Sequence, residues 1–322
     1  MDLDVLLPFH RVDDYFIQAI ESLAKTQGVS FNTILIDDRK DRSVNVFQLL
    51  LPIKNKVVVE TAGGIGYGAA LEIGTKYLKN DVVALFNSDD LISPFRFKKQ
   101  IANLDSSDLN ITKMQRINGA NQKINSLSGQ IKSETYDPIF LLLGAYGANA
   151  SWCMRRDWWE KNSFFDSDEM LDWRIALNCF ERSNISYLPE NLYFYRKHSS
   201  QVTAKRQFST SSLVPLYESW TKFGAIFDIT AAPFEVFVTL ALPWVVDVDL
   251  DFKQANITAK QISNAACNLS KGVYRDVNAL IQRRYLSSLR RHSSYGDKVK
   301  CAFSGAPQAI NSFWDLLIEV IR

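Results

Sequence analysis

The sequence predicts an α/β fold: a doubly wound, mostly parallel sheet in the first two thirds and a mainly helical region after it. Apolar runs alternate with helical stretches, giving four strand–helix repeats in about the first 100 residues. Three of the run ends carry acids or glycines: Asp37-Asp38, Gly63 to Gly68, and Asn87 to Asp90. After Thr203 the periodicity is helical, which predicts the second region.

Leu3 to Leu7 reads as the first buried strand. Pro8-Phe9-His10-Arg11 ends it, because proline lacks the N–H that a central strand needs. Asp13 or Asp14 caps a helix whose Phe16, Ile17, Ile20 and Leu23 share one face. Phe31 to Ile36 is the second strand and runs into Asp37-Asp38. Lys56 to Val59 is the third. A glycine-rich loop, Ala62 to Ala69, then opens a helix to about Leu78. Asp81 to Phe86 is the fourth strand, and its unbroken apolar run suits burial on both faces. Pro94 suits the first turn of a helix that reaches about Leu104.

The pattern then changes. Leu109–Ile117 and Lys123–Leu127 read as a hairpin around Asn118-Gly119-Ala120-Asn121. Phe140 to Leu143 is a short apolar element. Gly147 to Ser151 is a small-residue loop that runs into a strand reaching Arg155. Phe164 to Arg174 leads into a helix ending near Phe180. Ile185–Leu188 and Leu192–Tyr195 read as two short strands. Beyond the polar stretch Gln207–Ser212, helices are expected over Leu213–Phe223, Ala255–Leu269, Val273–Arg291 and Ile310–Ile321. Phe234 to Val246 is strongly apolar but holds Glu235 and Pro243. It is too short to span a bilayer and reads as core or a subunit interface.

The composition is that of a globular protein, with 322 residues, 47% hydrophobic and 22% charged. A net charge of +2 gives no argument for a nucleic-acid partner. Cys153, Cys179, Cys267 and Cys301 are scattered without metal-type spacing, which suits reduced thiols in the cytoplasm. No basic leader precedes Leu3 and no run reaches about 18 apolar residues, so neither a signal peptide nor a transmembrane helix is expected.

Open α/β sheets bind ligands beyond the carboxyl ends of their strands. Asp89 and Asp90 fall at such an end, and carboxylate oxygens there suit Mg²⁺ or Mn²⁺. The plainer alternative is a turn, since Asn, Ser and Asp favour turns. Gly64-x-Gly66-x-x-Ala69 imitates a dinucleotide fingerprint. It follows the third strand, however, and no acid ends a strand about 20 residues on. Two readings stay open for these glycines. They allow close strand–helix packing, or they let backbone N–H groups approach a phosphate or nucleoside.

Taken together, Pro8-Phe9-His10, Asp37-Asp38-Arg39, Gly64 to Gly74, Asn87-Ser88-Asp89-Asp90 with Pro94, Arg155-Arg156, Leu171-Asp172 and Tyr195-Arg196-Lys197-His198 resemble the ordered motifs of family 2 inverting glycosyltransferases of the GT-A fold. The resemblance covers about residues 1–203, with 204–322 as a helical region for oligomerisation, acceptor contact or a membrane surface. It implies transfer of a sugar from a nucleotide-diphosphate donor, a UDP-sugar in most of the family, to a glycan or lipid-linked acceptor. The setting it implies is surface polysaccharide synthesis, in the cytoplasm or peripherally at the inner face of the membrane.

By the same resemblance Asp172 is the general base. Asp89 and His198 hold a divalent cation, Mn²⁺ or Mg²⁺, that assists departure of the diphosphate. Asp37, Asp38, Pro8 and Phe9 hold the nucleotide base. Gly64, Gly66, Asn87, Ser88, Asp90, Trp173 and Arg196 complete the substrate-binding set. Asp168 and Glu169 are rival bases. On their own, Asp172 reads equally as a helix N-terminal acid and His198 as a surface residue.

The sequence departs from the family at several places. Asn87 stands for the first acid of the Asp-x-Asp signature, Leu71-Glu72 for Arg-Asn, Leu171 for Glu, and Arg39-Lys40 for Gly-Ser. These departures sustain a rival reading, a non-catalytic module that scaffolds a synthesis complex. A nucleotidyltransferase is a second rival, opposed by the lack of a Gly-rich basic loop after the first strand. Arg283-Arg284 and Arg290-Arg291 share a helix face, read either as solvated or as a patch for anionic headgroups.

Overall fold

The structure is a computed structural model that describes residues 2–124, 136–144, 148–163, 170–199, 201, 210–229, 232–244 and 251–292. Eight strands form one sheet: β1 (Leu3–Phe9), β2 (Phe31–Asp37), β3 (Lys56–Glu60), β4 (Val82–Leu85), β5 (Leu91–Ile92), β6 (Leu109–Asn118), β7 (Trp152–Arg155) and β8 (Ile185–Lys197). Their order is β3-β2-β1-β4-β7-β6-β8-β5. The first four are mutually parallel, while β7 runs antiparallel to β4 and β6. The chain leaves β1 for β2 on one side and later returns to β4 on the other. This reversal opens a crevice at the carboxyl edge.

Pro8 does not end the first strand. The carbonyl of Leu6 accepts from Phe86 N on the β4 side, and that of Phe9 accepts from Asp38 N on the β2 side. Alternate residues face alternate neighbours, so position 8 faces β4, whose pairing with β1 stops at Leu6↔Leu85. The missing N–H ends the ladder on that side only, and β1 continues to Phe9 through its pairing with β2, Pro8↔Ile36 and Phe9↔Asp37.

Helix α1 (Asp14–Ala24) is capped by Asp13, which accepts from Phe16 N at 3.0 Å. Its Phe16, Ile20 and Leu23 pack with Leu3, Val5, Leu7 and Phe9. A one-turn helix α2 (Val46–Leu49) lies between β2 and β3, and α3 (Tyr67–Thr75) follows β3. Helix α3 packs close because Gly74 has no side chain; a Cβ there would meet Ile36 Cδ1 at 2.8 Å. Helix α4 (Arg96–Ala102) carries two fully buried polar residues. Arg96 donates to the carbonyls of Leu85 and Trp152, and Gln100 donates to those of Asn110 and Ser151. One helix thereby ties β4, β6 and the approach to β7 together.

The expected hairpin is present in its turn, with Ile124 N donating to Arg116 O at 3.0 Å. Residues 125–127 lie outside the described residues. The two short strands expected near 190 are one, β8, paired in parallel to β6. The register jumps from Thr112↔Leu188 to Lys113↔Asn191, so Pro189-Glu190 bulges out of the ladder. Two further helices, α5 (Arg156–Asn162) and α6 (Leu171–Cys179), follow β7 in sequence.

The described chain gathers into two units. The first holds the described parts of Met1–Asn125, Gly147–Ile175 and Arg182–Lys205, and the second those of Ser126–Tyr146, Ala176–Glu181 and Arg206–Arg322. The second unit is helical: α7 (Thr210–Gly224), α8 (Phe234–Ala241), α9 (Phe252–Cys267) and α10 (Lys271–His292), with a 3₁₀ turn at Pro138–Leu143. That turn is its core. Trp220 Nε1 donates to Leu142 O at 3.1 Å and Arg284 Nε to Leu143 O at 2.9 Å. Residues 236–241 of α8 are buried, as an apolar core segment should be. The helix expected over Ile310–Ile321 and the side chains of Arg290 and Arg291 lie outside the described residues. Among the described residues, no helix is long and apolar enough to cross a membrane.

Candidate functional site

The carboxyl ends of β1 to β4 lie on one edge, and the side chains there divide into groups that face a crevice and groups that build it. His198 Nε2 lies 3.1 Å from Asp89 Oδ2, across 109 residues of sequence. Asp89 follows β4 and His198 follows β8, so only the sheet brings them together. The Tyr15 ring packs on His198 and on Arg196, which holds the Asp89 backbone. Its centroid is 4.7 Å from that of His198 and 4.6 Å from the Arg196 guanidinium carbon. Gly119 permits this, since a Cβ there would meet the Tyr15 hydroxyl at 2.6 Å.

Asp90 and Arg196, expected among the substrate-binding groups, are both fully buried. Asp90 accepts from Tyr193 Oη at 2.5 Å, Arg196 N at 2.7 Å and Asn87 Nδ2 at 3.3 Å. Burial, and then the charge of Asp89, push its carboxyl up to about 8. Arg196 donates to Asp89 O at 2.7 Å, Gln18 Oε1 at 3.1 Å and the side-chain oxygen of Asn121. These two residues pin the loop bearing Asp89 to α1 and to the turn after β6.

The acids after β2 also turn inward. Arg39 Nε and Nη2 donate to the two oxygens of Asp37 at 2.9 and 2.7 Å, a buried bidentate pair. Asp38 accepts from Thr61 Oγ1 at 2.6 Å, Ile65 N at 3.0 Å and Gly66 N at 3.1 Å, while Gly64 N donates to Asp38 O at 2.8 Å. The amides of 64 to 66 thus have partners within the protein, Asp38 in each case. Gly63, Gly64 and Gly66 are required for their positive φ of 86°, 74° and 100°.

A cleft of about 450 Å³ opens beside this loop, lined among others by His10, Arg11, Asp38, Lys40, Val44 and Gly64. Pro8 and Phe9 are not in its lining. Because β1 runs two residues further than expected, Phe9 packs on Phe16 at 4.8 Å and under Arg39 at 5.6 Å, and His10 takes the exit position. Partial burial and then Arg11 hold the His10 imidazole below its ordinary value, while Asp89 and Asp38 pull it upward. The cleft therefore sits within electrostatic reach of the Asp89–His198 pair.

Asp172 is half-buried at the start of α6, with Oδ1 accepting from Trp173 N at 2.9 Å. Trp173, expected to bind substrate, is fully buried. Tyr67, at the start of α3, accepts from Asn149 Nδ2 at 3.1 Å and lies 3.5 Å from Asn87 Oδ1. Burial raises its hydroxyl well above the ordinary value, and the charge of Asp172 adds to the effect. Asp172, Tyr67, Asn87 and Asn149 are thus neighbours in one electrostatic environment. Asn87, Ser88 and Asp89 are half-buried at the strand end. The rival bases Asp168 and Glu169 lie outside the described residues.

Among the described residues, no three His, Cys, Asp or Glu side chains gather into a metal site. The carboxylate and imidazole of Asp89 and His198 are donor types that could hold a divalent cation. Sequence reasoning gave no role to Tyr15, His10, Tyr67 or Asn149. His10 and Tyr67 lie inside the motifs Pro8-Phe9-His10 and Gly64 to Gly74, the small-residue stretch before β7 was the one hint of Asn149, and Tyr15 carries no local signal.

The profile of glycosyl transferase family 2 matches residues 4–172. No curated protein matches the chain. Among solved structures, S. aureus TarS 1-349 in complex with UDP-GlcNAc superposes with a TM-score of 0.60 at 16% identity, covering 89% of this chain and 90% of that one. TarS 1-349 in complex with UDP gives 0.54 at 15% identity, with the same coverage. A longer S. aureus TarS chain gives 0.57 at 15%, covering 92% of this chain and 56% of its own length.

Proposed function

The chain belongs to glycosyl transferase family 2, and we propose that it moves a sugar from a UDP-sugar to a glycan or lipid-linked acceptor in surface polysaccharide synthesis, with inversion and with a divalent cation. The observation that carries this reading is the Asp89–His198 pair, 3.1 Å apart at the carboxyl edge of the sheet, beside a cleft of about 450 Å³. The S. aureus TarS structures that share the fold hold UDP-GlcNAc and UDP. We assign residues 1–203 to catalysis and 204–322 to a helical domain.

In this reading the base and ribose occupy the cleft between His10 and Lys40, on a floor held by Asp38. Asp89 and His198 hold the cation, Mn²⁺ or Mg²⁺, which neutralises charge on the departing diphosphate when bound. Asp90, Tyr193 and Arg196 fix the backbone of that loop, so Asp89 meets the diphosphate with little reorganisation. Asp172 takes the proton of the acceptor hydroxyl as its oxygen attacks the anomeric carbon opposite the leaving group. One displacement inverts the centre. Tyr67 and Asn149 hold Asn87 in place at the strand end. The pair supplies two protein ligands, so metal binding is coupled to the nucleotide.

A thermal-shift panel of UDP, GDP, CMP, ADP and NAD, with and without Mn²⁺, tests the reading. A UDP shift that grows with Mn²⁺ is the expected result. A shift with NAD alone, or no shift with any nucleotide, overturns it.

A further inference from the structure

Large apolar side chains with high exposure concentrate beside the cleft. Val44 is 47% exposed, Phe47 56% and Leu51 74%, the three highest values among the exposed large hydrophobic residues described. They fall within one stretch around α2. The opposite side of the stretch is apolar too, with Val46, Leu50 and Ile53 buried in the core. A segment apolar on both faces belongs between two apolar media. Here one of them is the core and the other is water.

The charge around the patch indicates what replaces that water. Residues 39–56 carry five cations, Arg39, Lys40, Arg42, Lys54 and Lys56, against the single acid Asp41. Arg39 is closed on Asp37, and Arg42 reaches Thr61 O at 2.6 Å. Lys40 and Lys54 are exposed on either side of the apolar residues. Exposed Phe, Leu and Val rimmed by lysines form the surface that enters the headgroup layer of an anionic bilayer. The segment is also tied to the cleft: Arg39 Nη1 donates to Val44 O at 3.0 Å, and Val44 lines the opening.

We infer that the surface of Val44, Phe47 and Leu51, with Lys40 and Lys54, docks the protein on an anionic phospholipid bilayer. This placement puts the cleft mouth at the headgroups. A lipid-linked acceptor then reaches the site without leaving its membrane, and in that part alone the inference rests on the transfer reading.

The test is co-sedimentation of the full chain with vesicles of phosphatidylcholine, with and without phosphatidylglycerol. The wild type is expected to pellet with the anionic vesicles and to be released by salt. Phe47→Ser/Leu51→Ser is expected to weaken binding by at least about tenfold, and Lys54→Glu by about fivefold or more. The UDP-induced thermal shift, measured on the same variants, is expected to remain as in the wild type, which separates this surface from the nucleotide reading. Absence of anionic-vesicle binding overturns the inference. So does binding that both variants retain. Concentration-dependent dimerisation that Phe47→Ser/Leu51→Ser abolishes, without vesicle binding, overturns it in favour of self-association.

Discussion

The Tyr193 hydroxyl donates to Asp90 at 2.5 Å, and this bond separates the roles of two adjacent carboxylates. Asp90 belongs to the frame and Asp89 to the crevice. The frame is expected to titrate. Folded Asp90 holds its proton up to about 8, against an ordinary 3.8. A raised carboxyl value means stability fully present below the unfolded value and lost as pH rises through the folded one. The melting temperature is therefore expected to fall between about pH 4 and 8, and less steeply in Asp90→Asn. Melting curves of both proteins across that range provide the check.

Asp89→Ala and His198→Ala are each expected to abolish the Mn²⁺-dependent part of the UDP thermal shift while leaving a smaller metal-independent shift. Titration of Mn²⁺ at fixed UDP reads this directly. An undiminished Mn²⁺ response in both variants would remove the pair from cation binding.

Tyr15 is expected to act as a positioning residue through its ring. Tyr15→Phe keeps the face that holds His198 and Arg196 and should preserve the Mn²⁺ response. Tyr15→Leu should weaken that response and cost about 1–2 kcal/mol of stability through the lost cation–π contact. Chemical denaturation alongside the UDP·Mn²⁺ shift distinguishes the two effects.

Asp172→Asn is expected to lower turnover by about 10²–10⁴-fold while UDP affinity is kept. Sugar transfer with the donor that passes the nucleotide panel, measured beside UDP binding, is the test. Turnover at the wild-type level would return the base to the segment that holds Asp168 and Glu169.

Arg39→Ala leaves the buried Asp37 carboxylate without its bidentate partner, with Arg42 Nε 4.0 Å away. Breaking a buried pair on one side costs about 3–5 kcal/mol. Arg39→Ala/Asp37→Asn is expected to recover part of that loss, because the stranded charge is gone. Urea unfolding of the single and double variants measures it.

The sheet was legible in the sequence because a strand buried on both faces must be continuously apolar, as Val82 to Phe86 is. The helix caps and the order of strand-end motifs were legible for similarly local reasons. The end of β1 was not legible: Pro8 ends the ladder only on the side its missing N–H faces, toward β4, while pairing with β2 carries the strand on to Phe9. The bulge at Pro189-Glu190 was hidden for the same reason, since a register jump belongs to two strands.

The sequence by itself determined that three strand ends converge on one edge carrying Asp37, Asp38, the glycine loop and Asp89-Asp90, because hydrophobic periodicity and chain connectivity act locally. The tertiary structure decided which of those groups face the crevice. Asp37 closes on Arg39, Asp38 holds the loop amides, Asp90 meets Tyr193, and Asp89 alone reaches His198. Those partners come from distant strands and from buried hydrogen bonds, whose geometry no spacing along the chain encodes.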